Sequence, residues 1–581
     1  MSKEPTLLVA AIDFGTTYSG YAFSFRHEFE CDPLKVSASS WTTGSRVSIS
    51  LKTSSCVLFR PNGQFDSFGF EAEDRYSDLT LDNEHHDWLY FRRFKMMLYG
   101  AQDVHRTSKI KDETGKEMLA MDVFAAAICY LKDHMLQSYT DRTYGSRVDI
   151  NDIKWVLTVP AIWEDGAKQF MREAAVMAGI PGEHLILALE PEAASMFCKY
   201  LPVERMSGSS DKTITCFKTK SKYLVLDAGG GTIDITVHEV LPNGKLRELY
   251  KANGGAWGGT TIDDAFLEFI EGITGTEVMA RFREDHKDDY IDLLREFEVK
   301  KRTVQPDMDS KVTFKIPISL HELYREIQNG EIREAVRNTP DLSGKVTFAG
   351  DKMRVDAEMV KSLFDKTGGT ITQHIGSILR LSVAEGVSSI LMVGGFSESP
   401  MLRNAVQNAF PNVRVIVPHE AGLAVLKGAV IFGHDSQVIT SRIAKYTYGL
   451  KIYKRYNSKV HPKERIINKD GEQQVRGCFD KLVEIGESVS INEQSQMKTY
   501  QPQSGCDSFA VKLFASPDPN PIFVDDPGCI PLGEVTVECK DRKGNIGCAS
   551  VCLVFGGTEL EVRAVHDTSG EKTNAKFNFL E

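Results

Sequence analysis

The amino-acid sequence predicts a two-lobed α/β protein followed by an antiparallel β domain, and three observations carry this. An apolar strand, an Asp, a Gly/Thr turn and a second strand occur at residues 7–25 and again at residues 223–237. Each copy is followed by alternating helical and strand patterns, and from about residue 440 the texture changes to short alternating runs broken by Gly, Asp and Asn. A repeated unit implies duplicated architecture, mixed helix and strand patterns imply a mixed sheet in each half, and short punctuated runs imply antiparallel pairing. The expected division is 1–439, with lobe I at 1–221 and lobe II at 222–439, and then 440–581.

Taken in order, residues 7–13 run apolar into Asp13, turn through Phe14-Gly15-Thr16-Thr17 and return as a strand ending near Phe25. Residues 121–139 have helical spacing, 155–159 form a strand closed by Pro160, and 167–178 form an amphipathic helix stopped by Gly179. A strand at 185–189 delivers Glu190, and Pro191 opens a helix at a position that tolerates proline. Residues 207–222 are polar and Ser/Lys-rich and read as a loop before the second copy. That copy runs from residue 223 to Asp227, turns through Ala228-Gly229-Gly230-Gly231-Thr232 and continues as a strand to Val237. Later come a strand at 390–393, a Gly394-Gly395 turn and a helix at 400–410. The β domain shows runs at 534–539, 549–555 and 558–565, with turns at Lys543-Gly544-Asn545 and Gly556-Gly557, and no long charged helix is expected after it.

A length of 581 residues calls for more than one core. With 42% apolar and 26% charged residues, order is expected almost throughout. A net charge of -11 without a basic stripe argues against nucleic acid as the main partner. The first residues lack a basic leader and run into a turn, and no other apolar stretch is long enough to span a bilayer, so a cytoplasmic protein without stable membrane insertion is expected. Eleven scattered cysteines without paired zinc-ligand spacing read as small buried hydrophobes.

The chemistry lies in the repeated hairpin. A tight Gly/Thr turn directs successive backbone N–H groups into one concavity suited to phosphate, and Thr16, Thr17 and Thr232 add hydroxyls. Asp13 and Asp227 then bring carboxylates to one cleft from opposite lobes. Carboxylates without His or Cys suit Mg²⁺, which keeps water and takes phosphate oxygens. A Mg-nucleotide is the expected occupant, and the grip is not of the P-loop type, because no Gly-x-x-x-x-Gly-Lys-Ser/Thr is present. A single Asp-x-Gly-Thr is often only a turn, so the repetition carries the weight. The Gly254-Gly255 and Gly258-Gly259 turn is weaker support, since loops collect glycine for backbone reasons.

These residues also carry a family resemblance. Residues 12–19 (Ile-Asp-Phe-Gly-Thr-Thr-Tyr-Ser), Thr158-Val159-Pro160-Ala161, residues 189–194 (Leu-Glu-Pro-Glu-Ala-Ala), residues 227–234 (Asp-Ala-Gly-Gly-Gly-Thr-Ile-Asp) and Gly394-Gly395 resemble the nucleotide-binding domain of 70-kDa heat-shock proteins, in matching order and spacing. Residues 87–91, 94–98, 160–163 and 168–175, with Tyr448-Gly449 and residues 479–481, resemble the divergent heat-shock 70-kDa protein 12 group. The resemblance implies an actin-like ATPase fold with duplicated ribonuclease H-like cores, ATP or ADP with Mg²⁺ as cofactors, and protein clients or partners for the β domain. It implies that Asp13, Glu190 and Asp227 organise Mg²⁺ largely through water. Gly15, Thr16, Thr17, Tyr18 and residues 229–231 would surround the phosphates, and Thr232 and Asp234 would complete the shell. Lys95 would touch the γ-phosphate and orient the attacking water, so that Lys95, Glu190, Asp227 and Thr232 form the catalytic set, and Pro160 would sense the γ-phosphate. Glu298, Lys301 and Arg302 would hold ribose and base, with Gly258, Gly259, Gly394 and Gly395 lining the site. Outside that resemblance, Lys95 reads as a lysine reaching from an amphipathic stretch to solvent, and residues 298–302 as a solvated helix face.

Departures from the family pattern are also visible. Glu398 stands where the family places an arginine against adenine, which removes a cation–π stack worth about 0.5–2 kcal/mol and implies altered base selection. Lys168 replaces a relay arginine, and the two cations differ in forked hydrogen bonding. Residues 437–445 are polar and basic where the family linker is apolar, and a helical lid is not expected. The readings carried forward are therefore a chaperone-like ATPase and a nucleotide-dependent scaffold or signalling adaptor with little or no hydrolysis. A small-molecule kinase lacks a signal for an acceptor base, and the β domain disfavours an actin-like filament.

Overall fold

The computed structural model describes residues 6–42, 49–100, 104–201, 206–207, 217–469, 471–491, 495, 497–501, 508–539, 547–556, 559–566, 572–576 and 579–580. The first repeat is a hairpin of Leu8–Phe14 and Tyr18–Phe25, in which Asp13 stands opposite Gly20. Leu8–Phe14 is buried at every position, as a strand covered on both faces must be. It pairs in parallel with Ile153–Val159, which pairs in parallel with Leu185–Leu189, while Ser37–Ala38 adds antiparallel beyond Tyr18–Phe25.

The second repeat builds the same sheet. Lys222–Ala228 pairs antiparallel with Ile233–Val240 and parallel with Val387–Val393; the latter pairs in parallel with Arg414–Pro418, and Leu246–Gly255 pairs antiparallel with Ile233–Val240. Numbered along each lobe, both sheets have the spatial order five, four, one, two, three, with the same strand senses. The echo in the sequence is therefore a duplication of topology.

Helices complete the layers. Ala120–Arg142 packs on lobe I, and Asp165–Met177 buries Ala167, Phe170, Met171, Ala174 and Ala175, the three-four spacing of one helical face. Lobe II has its own core around Leu226, Ile235, Phe266, Phe297 and Ile375. A third core joins the lobes: Ala424–His434 lies near the end of the expected lobe II in sequence but packs with Val9, Val156, Ala193 and Met196 of lobe I. The helix has returned across the expected lobe boundary because Gly428 and Gly433 allow close approach. A Cβ on Gly428 would lie 1.8 Å from the Ala193 carbonyl oxygen, and one on Gly433 would lie 2.3 Å from a Val9 methyl. Gly428→Ala is expected to destabilise the fold by about 1–3 kcal/mol or more, because the obstruction is backbone. Thermal unfolding checks this, with Gly369→Ala, where nothing lies within 4 Å, as comparison.

The segment expected as a polar linker is instead a strand. Ile439–Ile443 extends the lobe II sheet in parallel beside Leu246–Gly255 and pairs with Ser488–Ser490 on its other side, so the expected 439/440 boundary falls at its start. Its basic residues are held by acids distant in sequence. Arg442 makes a forked ion pair with the buried Glu192, at 2.7 and 2.5 Å, and Lys445 binds Glu164 at 2.7 Å and the Ile162 carbonyl at 2.9 Å.

The Ile443 N–H donates to Glu248 at 2.8 Å. Burial, reinforced by Glu192, pushes Glu248 up to about 8 from 4.5, although the Ile443 bond and Arg442 pull the other way. A carboxyl raised on folding favours the folded state when protonated, so its stabilising contribution is complete below about pH 4.5 and is lost as pH rises towards 8. Glu248→Gln is expected to flatten the fall in melting temperature over that window and to raise stability at pH 8.

Two antiparallel sheets follow. One has the order Ile466–Lys469, Glu472–Val483, Thr447–Arg455, Ser508–Ser516, Ile530–Glu538; the other runs Lys498–Tyr500, Ala549–Gly556, Glu559–His566, Lys572–Lys576. Tyr448, Leu450, Leu513, Val535, Val551, Leu553 and Val562 form their shared core. The turn at 543–545, Gly557 of the Gly556-Gly557 turn and residues 208–216 of the expected loop lie outside the described residues. At the far end, the Phe579 N–H donates to Gln169 at 2.8 Å, and Leu580 is buried in the lobe I core. Among the described residues no helix is long and apolar enough to cross a membrane.

Candidate functional site

The two hairpin turns meet face to face. A Cβ on Gly230 would lie 2.2 Å from Thr17 Oγ1, and one on Gly231 would lie 2.7 Å from Thr16 Oγ1. Glycine is thus required where the lobes approach, and Thr16 and Thr232 are both buried. Gly15 is also sterically obliged, since a Cβ there would lie 2.2 Å from the Tyr18 carbonyl oxygen.

Behind the turns lie three buried acids, Asp13, Asp227 and Asp234, together with Glu190, whose side chain is 13% exposed. Asp13 Oδ1 accepts from Thr158 Oγ1 at 2.8 Å, and its Oδ2 lies 2.6 Å from Lys52 Nζ. Burial acts to raise the Asp13 carboxyl, but Lys52, Lys95 and Thr158 outweigh it and hold it below its ordinary value. Glu190 opens the Glu190–Tyr200 helix and accepts from Lys95 Nζ at 2.9 Å. Burial still keeps Glu190 above the usual carboxylate range, against the pull of Lys95. Lys95, which as a bare pattern read as reaching to solvent, is only 4% exposed and lies 5.0 Å from the Trp163 ring centre. The ion pair holds it inside.

Asp227 faces Asp234 in the strand register. Asp227 Oδ2 is buried without a hydrogen-bond partner among the described residues. Burial and the charges of Glu190, Asp234 and Asp13 push Asp227 well above the usual carboxylate range. Asp234 rises to about 7, by burial and Glu190, and accepts from the Ile162 N–H at 2.8 Å. The Ile162 backbone is therefore held at its N–H by Asp234 and at its carbonyl by Lys445, two residues past the docked strand.

A cavity of about 700 Å³ opens beside the turns, lined by Thr16, Thr17 and Tyr18 on one side and Glu298 and Arg302 on the other. The Arg302 guanidinium lies 5.2 Å from the Tyr18 ring centre and forks onto Glu298 at 2.9 and 2.6 Å. Lys301 is only 12% exposed and turns to Asp263 at 2.5 Å and Glu298 at 2.5 Å, so this stretch is not simply a solvated face. Glu398 is exposed and accepts from the Gly422 N–H at 3.0 Å, and its charge reaches Arg302. Gly394, at φ 85°, brings the turn against Asp227, where a Cβ would lie 2.4 Å from Oδ1; Gly395 is open. Gly258 and Gly259 have a supporting role, their N–H groups donating to the carbonyls of Gly231 and Gly229 at 3.1 Å each.

A duplicated sheet, facing Gly/Thr turns and a carboxylate from each lobe form one arrangement. The family profile "Hsp70 protein" matches residues 92–500. The chain is 33% identical over 632 residues to heat shock 70 kDa protein 12A of Mus musculus, covering 100% of this chain and 93% of that protein. It is 33% identical over 630 residues to heat shock 70 kDa protein 12B of Homo sapiens, covering 99% and 91%. The chain belongs to the Hsp70 family. Within it, the assignment to the heat shock 70 kDa protein 12 group holds. A more distant Hsp70 relative, the chaperone protein DnaK of Mycoplasma mobile, is 24% identical over 361 residues, covering 59% of this chain and 49% of that protein.

Several residues of this Hsp70 cleft escaped sequence reasoning. Lys52 reaches Asp13, Arg93 binds Asp263 at 2.7 Å, and Arg92, Ser54 and Ser55 line the cavity. None lies in a motif. The placement of Lys52, Ser54 and Ser55 follows from the pairing of Thr53–Ser54 with Tyr18–Ser19, and that of Arg92 and Arg93 from the pairing of Leu89–Arg92 with Cys56–Phe59, contacts between segments apart in sequence.

Proposed function

We propose that this Hsp70-family protein binds ATP and ADP with Mg²⁺ between two actin-like lobes and acts as a chaperone-like ATPase. In this reading nucleotide state controls protein binding by the β-rich region from residue 440 onward. The observation that carries it is the pair of Gly/Thr turns meeting in front of Asp13, Glu190 and Asp227, with Asp227 Oδ2 unpartnered.

The donor set suits Mg²⁺. It is all oxygen: Asp13, Glu190 and Asp227 are carboxylates, and Thr16, Thr17 and Thr232 are hydroxyls. That fits an ion held mostly by water and phosphate oxygens. When bound, Mg²⁺ would neutralise phosphate charge. Lys95 would stand at the terminal phosphate and orient water, and Thr16, Thr17, Thr232 and the turn N–H groups would fix the phosphates. Tyr18, Glu298 and Arg302 would line the ribose and base side, where Glu398 in place of a cation weakens selection for adenine. Nucleotide state would reach the β-rich region through Asp234, the Ile162 peptide next to Pro160 and Ala161, and Lys445.

A nucleotide-dependent scaffold with little hydrolysis is the second reading, favoured by the docked Ile439–Ile443 strand, which joins the β-rich region to both lobes. Calorimetry with ATP and ADP in Mg²⁺, followed by single-turnover hydrolysis, separates the two. Turnover lost in Lys95→Ala and Asp227→Asn supports the ATPase, binding without turnover supports the scaffold, and no heat from any adenine nucleotide overturns both.

A further inference from the structure

Lys52 is the cleft residue that the phosphate reading leaves unused. It precedes the short Thr53–Ser54 strand, whose pairing with Tyr18–Ser19 sets Lys52 beside Gly20. Gly20 is the register partner of Asp13, and its missing side chain opens the route: a Cβ there would lie 3.1 Å from Lys52 Cγ. Lys52 crosses this gap to place Nζ 2.6 Å from Asp13 Oδ2. Its backbone is fixed by Ser50, whose Oγ donates to the Lys52 carbonyl at 2.6 Å and accepts from its N–H at 3.3 Å. The side chain is 18% exposed, so it sits at the mouth of the acidic cluster. Its field also acts on Glu190 and Asp227. With the Lys95–Glu190 pair, each lobe I carboxylate of the cleft has its own lysine.

Resting on the nucleotide-binding reading above, we propose that Lys52 is a built-in counter-cation, paired with Asp13 at 2.6 Å and transferred to the phosphate oxygens when a nucleoside triphosphate enters. Two lysines then supply positive charge that would otherwise come from the metal alone. The protein therefore retains triphosphate affinity at low Mg²⁺, and Asp13 is released for the ion only as phosphate takes its lysine. A lysine suits this role because it is a flexible point charge.

The test is calorimetric ATP binding in chelator and in saturating Mg²⁺, on the full chain, with Lys52→Met, Lys52→Arg and Gly20→Val. Lys52→Met is expected to lose affinity in chelator by on the order of ten- to a hundredfold, the worth of one charge-assisted hydrogen bond. In saturating Mg²⁺ it should lose less, because the ion then has an unopposed Asp13. Lys52→Arg, which keeps the charge on a planar and bulkier head, should retain more affinity in chelator than Lys52→Met. Gly20→Val, which crowds the lysine stem without removing the charge, should move in the direction of Lys52→Met. If wild type binds ATP but Lys52→Met shows the same ratio of affinities with and without Mg²⁺, the role of Lys52 is overturned while nucleotide binding stands. If wild type binds no nucleotide in either condition, both readings fall.

Discussion

Replacing Lys95 with alanine is expected to lower single-turnover ATP hydrolysis on the order of 10²–10³-fold, the usual cost of removing one preorganised charge from a transition state. Lys95 is held at the edge of the Gly/Thr turns by the Glu190 carboxylate, 2.9 Å away, and by the Trp163 ring. Without it, the cleft loses the cation paired with Glu190, and Glu190 loses the charge that offsets its burial. The variant should therefore also melt earlier, because a buried acid has lost its partner. Asp227→Asn separates chemistry from stability: burial and the charges of Glu190, Asp234 and Asp13 oppose a carboxylate there, so the amide should hold or raise the melting temperature while turnover falls. Rapid-quench hydrolysis and thermal unfolding on the same samples provide both readouts. Wild-type turnover in Lys95→Ala would remove this residue from the mechanism.

Arg442→Ala is expected to produce the largest loss of stability, about 3–5 kcal/mol, because it leaves the Glu192 carboxylate buried and unpaired. Glu192 is 2% exposed and Arg442 is 13% exposed, so solvent contributes little screening. The pair ties the docked strand to the helix that begins with Glu190, so its loss should also release Ile439–Ile443 from the lobe II sheet. Faster cleavage near residue 440 in limited proteolysis, together with a lowered melting temperature, would show this. Arg442→Met combined with Glu192→Gln should recover much of the loss, since removing both charges removes the desolvation cost. If Arg442→Ala melts with wild type and resists protease equally, the pair does not hold the strand.

The parts that were legible in the sequence are those in which chemistry is local. Asp13 and Asp227 stand at the ends of apolar runs and beside their glycines, so strand, turn and acid can be read together. Helix 165–177 announces its buried face through spacing alone. What could not be read depends on partners far along the chain. Residues 437–445 look polar and basic in isolation, and 439–443 become a half-buried strand whose Arg442 and Ile443 N–H are met by Glu192 and Glu248. Lys52 belongs to no motif, and its role arises from the register of Thr53–Ser54 against Tyr18–Ser19. Burial of Lys95 and Lys301 likewise depends on acids from other elements.

The helix Ala424–His434 separates the order of the chain from the order of its assembly. Lobe I has its own sheet by residue 189, yet the surface formed by Val9, Val156 and Met196 is completed by a segment made more than two hundred residues later. During synthesis that surface must wait, uncovered, while the whole of lobe II emerges. A truncated fragment ending near residue 221 would carry the same greasy face permanently and should precipitate or recruit holdases, whereas supplying 424–434 as a separate peptide should restore its solubility.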